Sequence, residues 1–128
     1  MAFYVAKTLS MSFDRALEKL RAELNKEGFG IISDLDVKEN LKEKLDVTFR
    51  RYRILVAWNP TIAHRTLLLE DKAGLVLPCN LIVQDRGDHV TEVAAIDPRS
   101  TMGAVGNAGL EDAAKQVGMK LEAVIGHV

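Results

Sequence analysis

The chain has 128 residues, of which 48% are hydrophobic and 27% are charged, and its formal net charge at pH 7 is −1. This length favours a single domain over residues 1–128, and high apolar content with little net charge argues against disorder. Seventeen Lys and Arg residues against eighteen Asp and Glu residues leave no global cationic field. Nucleic-acid binding through a basic face is therefore disfavoured.

The first half of the chain predicts three strands and two helices. Ser12 caps a first helix that ends at Gly28, and the apolar residues between them recur at helical spacing. Asp36 caps a shorter helix that reaches Leu45, with Glu39 at the spacing of a capping box. The three strands are Phe3–Leu9, Phe29–Leu35 and Arg51–Trp58.

The second half begins with a third helix and a hairpin. Asn59-Pro60 starts the helix, because Asn caps it and proline at the first position gives up an N–H that has no partner. The helix ends within Asp71–Gly74. A turn at Arg86-Gly87-Asp88 then joins two strands into a hairpin, Pro78–Asp85 and His89–Ile96.

A loop and a long helix complete the chain. Asp97-Pro98 repeats the cap-and-proline pattern, and a loop rich in glycine follows it. The last helix runs from Ala108 to Ile125 and is interrupted by Gly118, at a cost of about 1 kcal/mol relative to alanine.

This order of elements predicts an α+β fold, with a single sheet of about five strands and two long helices on one face. Leu55 and Ala57 point to one side of the third strand. The other side is also apolar and carries Tyr52, Ile54, Val56 and Trp58. It must be covered by the short helices or by another subunit, so we expect a homodimer.

The signals for a cellular compartment are few. Cys79 is the single cysteine and cannot form an intramolecular disulfide. The N-terminus lacks the pattern of a signal peptide, and apolar runs such as Ile54–Trp58 fall far short of the about 20 residues of a membrane span. We expect a soluble cytoplasmic protein without a membrane partner.

Seven ordered sequence blocks, spread through nearly the whole chain, carry a resemblance to a known family. They are Lys26–Gly30, Asp34–Val37, Leu41–Leu45, Tyr52–Leu55, Ala57–Pro60, Leu77–Asn80 and Ala95–Pro98. In content and spacing they resemble the bacterial and archaeal family called domain of unknown function 302.

The resemblance implies a strand, a helix, four strands and a helix, a topology related to the half-domain of the TATA-binding protein, with the two short helices as inserts. It also implies a small and often dimeric protein. It implies neither catalytic residues nor nucleic-acid binding, because the family's activity is unknown and fold does not fix function. Trp58 stands where a smaller residue is expected and could narrow the space beside Asn59-Pro60.

Cys79 is the first candidate for chemistry. Its thiolate could act as a nucleophile or redox sensor if a base lowered the pKa of the thiol. His64 titrates near neutral pH and could form a Cys–His–Asp arrangement with Cys79 and Asp97. Alternatively, Cys79 is a small buried hydrophobe and His64 is a surface residue.

Polar residues at the ends of elements form the second candidate. The helix starts at Asn59 and Asp97 present free N–H groups, which attract anions, and Asn80 follows Cys79 at a strand end. Because pockets form where elements end, we expect these four residues to wall a cleft that binds a small or anionic ligand or a partner protein. Helix capping alone is the alternative for the two caps.

No metal or cofactor is predicted. His64, His89 and His127 share no ligand spacing with one another or with Cys79. The glycines at 103, 106 and 109 match neither the dinucleotide-binding fingerprint nor the P-loop.

A short basic run offers a further hypothesis. Arg50, Arg51 and Arg53 surround Tyr52, and Arg51 and Arg53 share one strand face. They could clamp an anion or contact a phosphate or an RNA base. Ion pairing with the acidic helix faces explains them equally simply, and we expect no nucleic-acid partner.

Two functions follow from the sequence. The leading hypothesis is a non-catalytic homodimeric module that binds a ligand or partner in a cleft at Asn59, Cys79, Asn80 and Asp97. The alternative is a thiol-dependent enzyme or redox protein that uses Cys79 with His64.

Overall fold

The computed structural model of the chain describes residues 2–128, with the side chain of Ala104 left aside. The five strands are β1 Tyr4–Leu9, β2 Gly30–Asp36, β3 Tyr52–Trp58, β4 Cys79–Gly87 and β5 Val90–Ile96. The five α-helices are α1 Phe13–Lys26, α2 Val37–Leu45, α3 Pro60–Leu69, α4 Pro98–Thr101 and α5 Ala108–His127. Two 3₁₀ turns lie at Ala73–Leu75 and Gly103–Val105.

The strands form one antiparallel sheet in the order β1-β5-β4-β3-β2. Strands β4 and β5 pair as a hairpin, and β5 also pairs with β1, which forms one edge of the sheet. In this register Ile82 of β4 stands between Ile54 of β3 and Ala94 of β5. The three side chains therefore share one face of the sheet.

The hydrophobic core lies between the other face of the sheet and the helices α1 and α5. Leu20 and Leu24 of α1 and Leu121 of α5 are fully buried there. The strands contribute their alternate residues to the same core: Leu55, Ala57, Leu81, Val83, Val93 and Ala95. The alternation predicted for β3 is thus confirmed, as is the α+β fold with two long helices on one face.

The hairpin turn is the clearest difference from the sequence-based expectation, which centred it on Arg86-Gly87-Asp88. The turn residues are Asp88 and His89, whose φ angles are 45° and 64°. Positive φ at both positions matches the twist of paired strands in a two-residue hairpin, and aspartate tolerates this conformation better than most residues.

The segment after Asp97, predicted as a loop, contains α4 and the second 3₁₀ turn. Asp97 accepts a hydrogen bond from the backbone N–H of Arg99 (3.0 Å), and this bond stabilises the short helix. Within residues 2–128, no helix is both long enough and apolar enough to cross a membrane.

Candidate functional site

Asn59 caps α3 and also ties that helix to the end of α1. Its Oδ1 accepts from the backbone N–H of Ile62 (3.2 Å), and its Nδ2 donates to the carbonyl of Glu27 (3.3 Å). A Cβ atom on Gly28 would lie 3.3 Å from the same Nδ2, and Gly28 has φ +83°. Both ends of the Asn59 amide therefore serve the fold.

Cys79 lies at the start of β4 and is 3% exposed. Burial raises the pKa of its thiol to about 11, so the thiol is protonated at neutral pH. Cys79, Asn59 and Trp58 border a cavity of about 10 Å³. A cavity of this volume has room for about one water molecule and is too small for an organic ligand.

His64 and Asp97 lie away from that cavity. His64 is exposed on α3, directly after the buried Ala63. A second hollow beside Cys79, of about 240 Å³, includes Asn80 and Thr101 but neither His64 nor Asp97. The structure thus brings Asn59 close to Cys79 but does not gather a Cys–His–Asp arrangement around the thiol.

Asp97 is engaged by Arg99. The carboxylate accepts from Arg99 Nε (2.9 Å) and Nη2 (3.1 Å), and the hydrogen bond from Arg99 holds the pKa of Asp97 below its ordinary value. Arg99 also pairs with Glu122 of α5, and its guanidinium crosses Gly118 of that helix. Asp97 therefore helps to fix α4 against α5.

Two of the three arginines in the basic run form ion pairs, as the ion-pairing alternative predicts, although only Arg51 pairs with a helix. Arg51 pairs with Asp14 of α1 (2.8 Å). Arg53 pairs with Asp34 of β2 (2.9 Å), which also receives Arg21. The hydrogen bond from Arg53 is the largest cause of the lowered pKa of Asp34. These contacts join α1, β2 and β3 on the helical side of the sheet.

Among residues 2–128, no group of three or more His, Cys, Asp and Glu side chains is placed to hold a metal ion. Asn80 lies on the opposite face of the sheet from Cys79, because neighbouring residues of a strand alternate. We call this face the open face. The residues on it that line one shared hollow are Tyr4, Tyr52, Asn80, Ile82, Gln84, Arg86, Glu92, Ala94 and Ile96.

The hollow on the open face, here called the trough, has a volume of about 470 Å³. The centre of the trough is apolar, and the small side chain of Ala94 beside Ile82 leaves space above the sheet there. Phe3 and Tyr4 border it at the β1 edge, with their rings edge to face and 5.0 Å apart between centroids. Of the four predicted ligand-binding residues, only Asn80 contributes to the trough.

Polar side chains form the other end of the trough. Gln84 is 6% exposed and donates from Nε2 to Oε1 of Glu92 (2.6 Å). Arg86 donates to the same oxygen (3.1 Å). Arg50, from the loop before β3, lies next to this end of the trough rather than in its lining, and donates from Nε to Oε1 of Gln84 (2.9 Å). The guanidinium carbon of Arg50 lies 4.4 Å from the ring centroid of Phe49.

Sequence reasoning missed this cluster. Asn80, Ile82, Gln84 and Arg86 recur at every second position of β4, which places them on one face. This alternation in the sequence could have predicted that the four residues share a face. Only the pairing of β4 with β3 and β5, however, brings Glu92 and Arg50 to the same place.

Comparison with known proteins gives two matches. The profile of the family described as "Domain of unknown function DUF302" matches residues 5–128. A crystal structure of an uncharacterised DUF302 protein from Bacillus stearothermophilus is similar throughout, with a TM-score of 0.90 and 27% sequence identity. The alignment covers 99% of this chain and 98% of that one. No curated protein gives a significant match.

Proposed function

We propose that this chain, which belongs to the DUF302 family, is a non-catalytic cytoplasmic binding module that works as a homodimer, with a second copy covering the open face. The observation that carries the proposal is the exposure of apolar side chains on the open face of the sheet. A five-stranded sheet with helices on one side leaves its other side to solvent unless a partner covers it.

Several large apolar side chains of this face are accessible to solvent. Phe3 is 63% exposed and Tyr4 is 46% exposed, while Ile54 and Ile82 in the central strands are half-buried. The short helices contribute no residue to the lining of the trough, since α2 contacts the strands β2 and β3 and α3 packs against α5. Large apolar patches of this kind on a small protein mark interaction sites.

The size of the open face suits a dimer interface. Five strands spaced about 4.8 Å apart and about six residues long span roughly 24 Å by 20 Å. Because side chains protrude from the sheet, the solvent-accessible area of the face is larger than this flat area. A standard interface buries about 800 Å² per partner. The face is thus of the size of a small dimer interface.

The charges on the open face favour a second copy as the occupant. Arg86 and Glu92 lie side by side on it, so the face carries both signs of charge. In a two-fold interface the same patch meets itself, and a patch with both signs can be self-complementary. The second copy would close the trough over Ala94, which leaves an enclosed space for a small ligand.

The alternative of a thiol-dependent enzyme draws no support from the site geometry. Cys79 is buried with a raised pKa, and His64 is exposed on another element. A nucleophilic thiol needs a base within hydrogen-bond reach or a lowered pKa.

Light scattering of the native protein and two variants tests the proposal. The native chain should have twice the 14.1 kDa mass of one copy. Ile82→Glu places a charge at the centre of the face and should give a folded monomer. Leu68→Glu is the matched control, because Leu68 is 73% exposed on α3 and away from the face. A native monomer, or dimers lost only with Leu68→Glu, would contradict the proposal.

A further inference from the structure

An unbalanced positive charge lies beside the polar end of the trough, because Arg50 contacts two of its lining residues, Gln84 and Tyr52. Arg50 and Arg86 supply two guanidinium groups, and Glu92 supplies one carboxylate, which is already paired with Arg86. Within the described part of the chain, Arg50 pairs with no carboxylate, and its Nε donates to the neutral amide of Gln84. The local charge is therefore about one positive unit beside an apolar hollow.

The Arg50 guanidinium is held in place without being neutralised. It stacks on Phe49, lies 5.8 Å from the ring centroid of Tyr52, and is fixed through Nε. Its two terminal nitrogens make no hydrogen bond to the described residues. A guanidinium fixed in this way presents parallel donors that match the two oxygens of a carboxylate.

Resting on the proposed binding function, we infer that the trough takes a small organic carboxylate. The apolar body of the ligand lies on Ala94 and Ile82, and its carboxylate accepts from the terminal nitrogens of Arg50. The volume of about 470 Å³ lies within the range of small-molecule sites. Glu92 does not repel the ligand strongly, because Arg86 and Gln84 already donate to it.

Titration with sodium octanoate, followed by ¹⁵N NMR, tests this inference. Octanoate should shift the Arg50 Nε–H and the Gln84 side-chain amide signals, and 1-octanol should bind more weakly. Arg50→Gln should weaken octanoate binding by about tenfold, the worth of a charged hydrogen bond, and should leave octanol binding unchanged. Arg15→Gln is the matched control, since Arg15 is exposed on α1 and should not affect either probe.

Four results would overturn the inference. Octanol could bind as tightly as octanoate, or Arg50→Gln could leave octanoate affinity unchanged, and either outcome removes the carboxylate contact. Shifts confined to the exposed leucines Leu68 and Leu75, or no binding at all, would remove the trough as the site. Light scattering on the same samples separates these failures from failure of the dimer, because the dimer should persist in Arg50→Gln.

Discussion

Gly118 lies inside α5 with the guanidinium of Arg99 across it, and substitution of this glycine tests how α4 is fixed to α5. A Cβ atom at position 118 would lie 2.8 Å from Arg99 Nε and 3.2 Å from Arg99 Cδ and Cζ. The neighbouring side chain must move if alanine is to fit. Arg99 can move only by loosening its hydrogen bonds to Asp97 and Glu122.

Two opposing free-energy changes determine the effect of Gly118→Ala on unfolding. Alanine stabilises a helix interior by about 1 kcal/mol relative to glycine. Overpacking, or displacement of a charged hydrogen bond to the nearly buried Asp97, costs about 2 kcal/mol. We therefore expect Gly118→Ala to lower the free energy of unfolding by about 1 kcal/mol.

The sign should reverse when Arg99 is removed. In the background of Arg99→Ala, the clash is absent, and Gly118→Ala should raise the free energy of unfolding by about 1 kcal/mol. The coupling between the two positions is then about 2 kcal/mol, measured by urea unfolding of the four proteins in a double-mutant cycle. Gly126→Ala is the control, because a Cβ atom there meets nothing within 4 Å. Equal effects of Gly118→Ala in both backgrounds would refute the reasoning.

Three further outcomes are expected from the residues around the site. Asn59→Ala removes the cap of α3 and should cost about 1–2 kcal/mol of stability by thermal or urea unfolding; unchanged stability would contradict the capping role. Cys79 should react with iodoacetamide at pH 8 only after denaturation, since its pKa is about 11, and rapid labelling of the native protein would instead revive the thiol-dependent alternative. The pKa of Asp34 is lowered chiefly by the hydrogen bond from Arg53, so its stabilisation is present above about pH 4 and is lost as pH falls through the folded-state pKa. Asp34→Asn should accordingly lose about 1 kcal/mol at pH 7 and converge with the native protein in acid, whereas the exposed control Asp71→Asn should change little; parallel pH profiles would contradict this assignment.

The sequence predicts the elements well because each is marked locally. Ser12, Asp36 and Asn59 cap the helices they were expected to cap, and the cap-and-proline pattern at Asp97 marks the short helix α4. The alternation in β3 correctly separates the core side from the open face. These signals depend on residues close together in the chain, so they need no knowledge of the tertiary fold.

The site is less predictable because its parts meet only across the sheet. Cys79 and Asn80 are neighbours in sequence, yet they point to opposite faces. Gln84 meets Glu92 and Arg50 only through the strand order. Likewise, the sequence marks Gly118 only as a weak point of α5, whereas the fold brings Arg99, nineteen positions earlier, across it. Contacts set by topology are therefore what sequence patterns leave out.

Intermolecular NOEs across the open face test the central claim most directly. In a sample that mixes isotope-labelled and unlabelled copies, isotope-filtered NMR detects contacts only between different copies. We predict filtered NOEs to the methyl groups of Ile54 and to the rings of Phe3 and Tyr4, because a second copy covers the residues around the trough. The absence of filtered NOEs, or filtered NOEs confined to Leu68 and Leu75, would contradict dimerisation through this face.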